Sequence, residues 1–410
     1  MWDRLLDAFG RNSVRIGILN VTLPDGRQFT YGDGTGSPVS MTIHDQDTLR
    51  RIVLDPDMGM GEGYMNGRVT FENDDVSGFL ALASLNMADG GMGSFQRPLE
   101  ALRKMRGWWR QMNSAASARA NVAHHYDLSA GLYELFLDED KQYSCAYFRE
   151  PDLTLDAAQA AKKHHIASKL LIEPDMRVLD IGCGWGGMAL TLARDFGARV
   201  VGVTLSEEQL RIARARAEAA GLADRVEFQL LDYRKVNETF DRVVSVGMFE
   251  HVGRPHYCDY FRSVRSRLAP DGVALIHTIG RTDPPGKTST WIDKYIFPGG
   301  YIPSMSETLA AVEKEGLYSC DIEVWRLHYA ETIRHWYNRF MERIDEAEAL
   351  YDARFCRMWR YYLLASEMTF RYNNQCVFQF QLSIDQEAVP LTRDYLYMPP
   401  EAQRAALAAE

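Results

Sequence analysis

Val178, Leu179 and Ile181 form a short apolar run broken only by Asp180. Gly182, Gly184, Gly186 and Gly187 follow, and MALTLARDFG then returns apolar residues at helical spacing. The pattern predicts a strand, a tight turn and a helix, the opening of a doubly wound nucleotide-binding sheet. Glycine is needed in such a turn because a ligand lying on the main chain leaves no room for a Cβ.

The same periods organise the flanking chain. From Ser13 to about Asp55 apolar and polar residues alternate (Val14, Ile16, Ile18, then Val21 and Leu23), with Pro24-Asp25-Gly26 as a turn before Phe29 and Tyr31. This predicts a small sheet of hairpins, completed by the Gly- and Met-rich stretch Met58 to Gly67 and the helix-like VSGFLALASLNM. Downstream, a helix over Leu155 to Leu171 leads into the glycine turn. The strand VVGVTL follows, and Ser206 with Gln209 reads as a capping box opening a long helix that closes near Gly221.

Strands at Arg225 to Leu231, Phe240 to Val246 and Val273 to Ile279 alternate with helices at about His256 to Leu268 and Ser306 to Glu315. Such repetition predicts a largely parallel sheet with helices on both faces. Beyond Glu331 the chain turns long, helical and aromatic, and CVFQFQLS alternates as a strand at the edge of the sheet. The reading divides the chain into an α+β unit over 1–100, a basic Trp-containing helix over 101–118, an α/β domain over 119–384 and a tail over 385–410.

Composition narrows this. A chain of 410 residues with 46% hydrophobic and 25% charged residues has the length for two domains and a large core. A formal charge of -10 argues against nucleic acid as a partner. The scattered cysteines form no CxxC pair, and the amino terminus has no signal-peptide pattern, so the expected setting is cytoplasmic. No window approaches the roughly 18 apolar residues that span a bilayer. In RKMRGWWRQM, Arg103, Lys104, Arg106 and Arg110 lie beside Trp108 and Trp109. That suits a lipid headgroup surface, or equally a linker helix whose tryptophans pack on a neighbour. No metal is expected: His256 with Cys258 and the adjacent His164 and His165 lack zinc-site spacing.

A glycine loop alone does not name a cofactor. Its GxGxGG form, Asp180 inside the first strand, Asp232 after the third and MFEHVG after the fourth fit S-adenosylmethionine better than a pyrophosphate. The expected fold is therefore that of a class I S-adenosylmethionine-dependent methyltransferase.

VLDIGCGWGG, VVGVTLSEEQ, HHYDLS, QYSCAYF, FDRVVSVGMFEHVG, LIHTIG, WIDKYIFPGGYIPS and HWYNRF together resemble the bacterial cyclopropane-fatty-acyl-phospholipid synthases, in order from about residue 119 to 383. The first hundred residues resemble that family's lipid-facing domain more loosely, through GYMNG and the basic helix. The resemblance implies transfer of a methylene from S-adenosylmethionine to a cis double bond in a phospholipid acyl chain, with S-adenosylhomocysteine as product. A methyl-branched or exo-methylene product, or a small-molecule N- or O-methyltransferase, stays open.

It also implies a bound bicarbonate as base, held by Cys145, Glu250, His277, the Ile279 main chain and Tyr337. The implied cofactor contacts are Tyr143 and Ser144, Gly182 and Gly184, Thr204, Leu205 and Gln209, with Asp232 and Phe249. Thr204 stands where many class I enzymes carry an acid. Tyr295, Phe297, Tyr301, Trp336, Tyr337 and Phe340 are candidates for the walls of an apolar channel. A homodimer in transient contact with the inner membrane face completes the expectation.

Overall fold

The computed structural model describes residues 1–88 and 130–397. The first unit is α1 (Trp2–Ser13), β1 (Ile18–Thr22), β2 (Gln28–Tyr31), β3 (Pro38–Ile43), α2 (Gln46–Leu54), α3 (Pro56–Met65), β4 (Val69–Phe71) and α4 (Val76–Ala88). The predicted turn at Pro24-Asp25-Gly26 closes the β1–β2 hairpin, but β3 then crosses over and pairs parallel with β1, giving the order β2-β1-β3-β4. The basic tryptophan segment and HHYDLS lie outside the described residues.

The second unit runs α5 (Ala130–Phe136), α6 (Leu155–Lys169), β5 (Arg177–Ile181), α7 (Gly187–Phe196), β6 (Arg199–Thr204), α8 (Glu207–Ala219), β7 (Val226–Leu230), β8 (Phe240–Val246), α9 (Tyr257–Arg267), β9 (Leu268–Arg281), α10 (Thr290–Tyr295), α11 (Met305–Lys314), β10 (Tyr318–Trp325), α12 (His328–Glu342), α13 (Ile344–Leu350), α14 (Ala353–Tyr372) and β11 (Gln375–Ser383). Its sheet has the order β10-β11-β9-β8-β5-β6-β7. Strands β5 to β9 pair in parallel, and β11 is antiparallel to both of its neighbours. Helices α6, α7 and α8 pack on one face and α9 and α11 on the other.

CVFQFQLS is not the edge strand. It is β11, flanked by β10 and β9, with nearly every residue buried. Its alternating glutamines face partners within the protein: Gln379 reaches His277, and Gln381 reaches the Lys169 carbonyl and Tyr395. The residues read as a tail begin by returning to this sheet, burying Val389 and Tyr395.

The two units share one hydrophobic core. A Cβ on Gly61 of α3 would fall 2.3 Å from the Trp291 indole, so only glycine lets α3 lie against α10. The Trp291 N–H donates to the Met65 sulfur at 3.1 Å, and the indole packs edge-on against Tyr361 of α14. Polar contacts follow the same seam. Asp57 accepts from the Thr290 N–H at 2.7 Å and from the Ser289 and Thr290 hydroxyls, capping α10 from the first unit. Glu62 pairs with Lys294 and accepts from the Tyr295 hydroxyl.

Candidate active site

Strands β5, β6, β8 and β9 end on one side of the sheet, and the strand order reverses between β5 and β8. That reversal is where open α/β sheets leave a crevice for ligands. The glycine turn after β5 needs positive φ at Gly182 (+80°) and Gly184 (+54°). A Cβ on Gly182 would stand 3.0 Å from Met248, whereas nothing lies within 4 Å of that position on Gly184. Gly184 thus offers bare main chain to open space, a fit for S-adenosylmethionine. Beneath it, burial pushes the Asp180 carboxyl up to about 7.

At the end of β6 the expected capping box is half formed. Ser206 Oγ accepts from the Gln209 N–H at 3.2 Å, but the Gln209 amide oxygen takes the Thr204 hydroxyl at 2.9 Å instead of the Ser206 main chain. A neutral Thr204–Gln209 pair therefore stands where an acid is common, with Leu205 half-buried between them. Burial works to raise the Asp232 carboxyl, but its hydrogen bonds and ion pair with Arg234 outweigh this and hold it below the usual range. The Phe249 ring does not reach the crevice. It is fully buried among Tyr257, Tyr260 and Phe261, so Phe249 can contribute only main chain.

The segment Gln142–Cys145 lies beside the glycine loop: a Cβ on Gly187 would fall 2.3 Å from the Gln142 amide. Ser144 accepts from Lys162, and the Tyr143 hydroxyl meets that of Tyr362 at 2.8 Å. Cys145 is buried, and burial keeps its thiol protonated, well above the ordinary range.

Glu250 and His277 come from adjacent strand ends. His277 sits in β9 opposite Val246 of β8, and Glu250 lies in the short turn that follows β8. Glu250 Oε1 accepts from the Ile279 N–H at 2.6 Å, while Oε2 is buried with no hydrogen-bond partner within reach among the described residues. Desolvation pushes this carboxyl up to about 7. Gln379 donates to His277 Nδ1 at 3.0 Å, which places the neutral ring's proton on Nε2. Burial holds His277 far below its ordinary range, so the ring stays neutral. The Ile279 N–H, expected to face an anion, is engaged by Glu250. The orphan Oε2 is the acceptor left for a small hydroxyl-bearing anion, and bicarbonate fits it.

Tyr337 is not brought to this group. Its ring lies under Arg334 at 5.3 Å, and its hydroxyl serves Arg360, which pairs with Asp74 of the first unit. Two turns earlier on α12, Tyr329 is buried near Tyr143, whose phenol is raised chiefly by burial and in smaller part by its tyrosine neighbours, Tyr329 among them. One turn after Tyr329, Thr332 accepts from the Ala146 N–H at 2.9 Å and faces the Cys145 thiol. Tyr329 is thus the α12 tyrosine on the crevice side.

The aromatic candidates separate similarly. Phe297 packs near His251 and Tyr362, and Trp336 lies 5.1 Å from Tyr143. Tyr295 is tied to Glu62, and the Tyr301 hydroxyl to Glu307, although the Tyr301 N–H holds the Glu250 carbonyl. Phe340 is core. Among the described residues no cluster of His, Cys, Asp and Glu could hold a metal.

Reading the sequence did not single out Gln142, Lys162, Tyr329, Tyr362 or Gln379. Lys162 carried a usable signal, because Leu155, Ala158, Gln159, Lys162, Ile166 and Lys169 recur at helical spacing on the buried stripe of α6.

Residues 113–380 match the family model described as mycolic acid cyclopropane synthetase, and residues 8–84 match a domain of unknown function. The cyclopropane-fatty-acyl-phospholipid synthase of Escherichia coli K12 is 38% identical over 337 residues, covering 82% of this chain and 85% of its own. The tuberculostearic acid methyltransferase of Mycobacterium tuberculosis is 38% identical over 378 residues, covering 87% of each. The solved structure of the mycolic acid cyclopropane synthase CmaA1 complexed with SAH and CTAB superimposes with a TM-score of 0.62 at 32% identity, covering 64% of this chain and 97% of that one.

Proposed function

The chain belongs to the mycolic acid cyclopropane synthetase family, and on that premise we propose that it is a cyclopropane-fatty-acyl-phospholipid synthase. It is an S-adenosylmethionine-dependent C-methyltransferase that adds a methylene to the cis double bond of unsaturated acyl chains. S-adenosylmethionine supplies the electrophilic methyl carbon, and bicarbonate supplies the base for the proton that must leave.

The protein's own part follows from elementary requirements. A π bond is a poor nucleophile and must be held in line, about 3 to 3.5 Å from the carbon it attacks. Water must be kept from the positive charge that develops on the acyl chain, or an alcohol forms. Phe297, Tyr362 and Trp336 supply electron-rich, dry surface beside Tyr143. Glu250 would orient the anion through Oε2, with its Oε1 held by the Ile279 N–H. His277 would donate from Nε2 and Tyr329 from its hydroxyl, and Cys145 would close the buried end. The observation that carries this reading is the Glu250 carboxylate, pinned on one side and, among the described residues, without a hydrogen-bond partner on the other, in a buried setting. Tyr143, Ser144, Gly182, Gly184, Thr204, Leu205, Gln209 and Asp232 are proposed to hold the cofactor.

Lipid mass spectrometry after incubation with vesicles of an unsaturated phosphatidylethanolamine tests the activity. Gain of one CH2 with loss of the alkene supports the ring. A retained alkene or branched-chain fragmentation moves the assignment to the exo-methylene or methyl-branched product, a reading favoured by the equal identity to the tuberculostearic acid methyltransferase. Methylation of amines or alcohols with no lipid product would make it a small-molecule enzyme.

The choice between tyrosines is directly checkable. Tyr329→Phe should lower kcat about ten- to a hundredfold, the worth of one hydrogen bond to a charged group. Tyr337→Phe should leave kcat within about twofold, and the opposite ranking in vesicle assays would return the role to Tyr337.

No described helix is long and apolar enough to cross a membrane. We propose peripheral contact with the inner membrane face through the basic tryptophan segment, by a homodimer. Replacing Arg103, Lys104, Arg106 and Arg110 with Gln should weaken binding to anionic vesicles most at low salt. Sedimentation of both proteins with vesicles checks this, and equal binding at low salt would remove the idea.

A further inference from the structure

Lys162 is a fully buried cation beside the site. Among the described residues no carboxylate lies within ion-pair distance of its ammonium, which donates to two neutral acceptors, Gln142 Oε1 and Ser144 Oγ, each at 2.8 Å. One turn earlier, Gln159 donates to the Gln142 carbonyl at 3.2 Å and the Ser144 carbonyl at 2.9 Å. Helix α6 therefore grips the Gln142–Ser144 segment by both main chain and side chains. The neighbouring Lys163 differs, because it pairs with Asp140, which also takes Arg216.

Burying an ammonium without a counter-charge is costly, and a neutral side chain on the same stripe would avoid that cost. A charge placed there at such a cost is one the site can use. The groups that face it are Asp138 and Asp140 from the loop before the segment, Lys163 on its own helix, Cys145, and His277 from β9.

We infer that Lys162 is a positioning residue: it locks Gln142–Cys145 in its cofactor-binding shape and gives that segment the positive potential that receives the carboxylate of the cofactor's amino-acid tail. This rests on the reading of Tyr143 and Ser144 as cofactor contacts. Burial pulls the ammonium down to about 7, so the charge titrates near neutrality.

Calorimetry on the full chain without lipid tests it, using S-adenosylhomocysteine and 5′-methylthioadenosine, which lacks the amino-acid tail. Lys162→Met should bind S-adenosylhomocysteine about tenfold more weakly below neutral pH, as expected for one charge-assisted contact. It should bind 5′-methylthioadenosine as the parent does. The parent's affinity for S-adenosylhomocysteine should fall more steeply than the variant's as pH rises through neutrality. Glu250 and Asp180 titrate in the same range, and they are common to both proteins.

Unchanged S-adenosylhomocysteine affinity in the variant, or an equal loss for both ligands, overturns the inference. Should Lys162→Met not fold, the parent decides: the ratio of the two affinities must change with pH, and a flat ratio overturns it. A protein that behaves as expected here but forms no ring-bearing lipid removes the proposed function and leaves this inference standing.

Discussion

Glu250→Gln is expected to lower kcat by about 10² to 10⁴, the usual worth of a positioned acid–base group, while leaving S-adenosylhomocysteine affinity nearly intact. The amide can still accept from the Ile279 N–H through its oxygen. Its NH2 then replaces Oε2, so a donor faces the hydroxyl of the anion where an acceptor is needed. The parent should gain activity as pH rises through about 7, because only the carboxylate can accept that hydroxyl. Stability should run the other way. A carboxyl raised by burial contributes fully below its unfolded value and loses that contribution as pH rises through the folded one. Above neutrality, then, the Gln variant should be more stable than the parent and far less active. Steady-state kinetics and thermal unfolding across pH check both halves, and a variant with parental kcat would end the anion-pocket account.

Trp291→Ala is expected to cost about 3 to 5 kcal/mol, as for other fully buried large rings cut to alanine. The indole fills the seam between α3 and α14, and Gly61 has no side chain with which to refill the space. The loss should appear as two separated unfolding transitions, because the ring is part of the core shared by both units. Denaturant titration followed by circular dichroism and by tryptophan fluorescence measures this. A loss below about 1 kcal/mol with one cooperative transition would mean that the seam tolerates collapse.

Much of the architecture was legible in the pattern of the chain. The glycine turn and the strands ending at Thr204, Val246 and Arg281 announce themselves because buried parallel strands are continuous apolar runs. β10 escaped notice because Asp321 and Glu323 interrupt YSCDIEVW, and both are answered by cations: Lys169 lies near each, and Arg393 pairs with Asp321. β11 was misplaced for a related reason. Alternating glutamines look like a solvent face until Gln379 is found holding His277.

Within the site, motif order pointed to Glu250, Ile279 and His277, which the structure sets at the adjacent ends of β8 and β9. On α12 it named Tyr337 and passed over Tyr329. The eight-residue step between them carries the side chain roughly a fifth of a circle past two full turns, enough to move it from the crevice to the seam. Phe249 illustrates the same limit: the residue next to the proposed anion-orienting carboxylate points into the core.

The touching hydroxyls of Tyr143 and Tyr362 join the segment beside the glycine loop to a ring that packs on Phe297. Methyl donor and fatty tail would then press on opposite ends of a single oxygen–oxygen contact. Whatever tightening the first arrival confers on the second must, by thermodynamic reciprocity, be conferred back in equal measure.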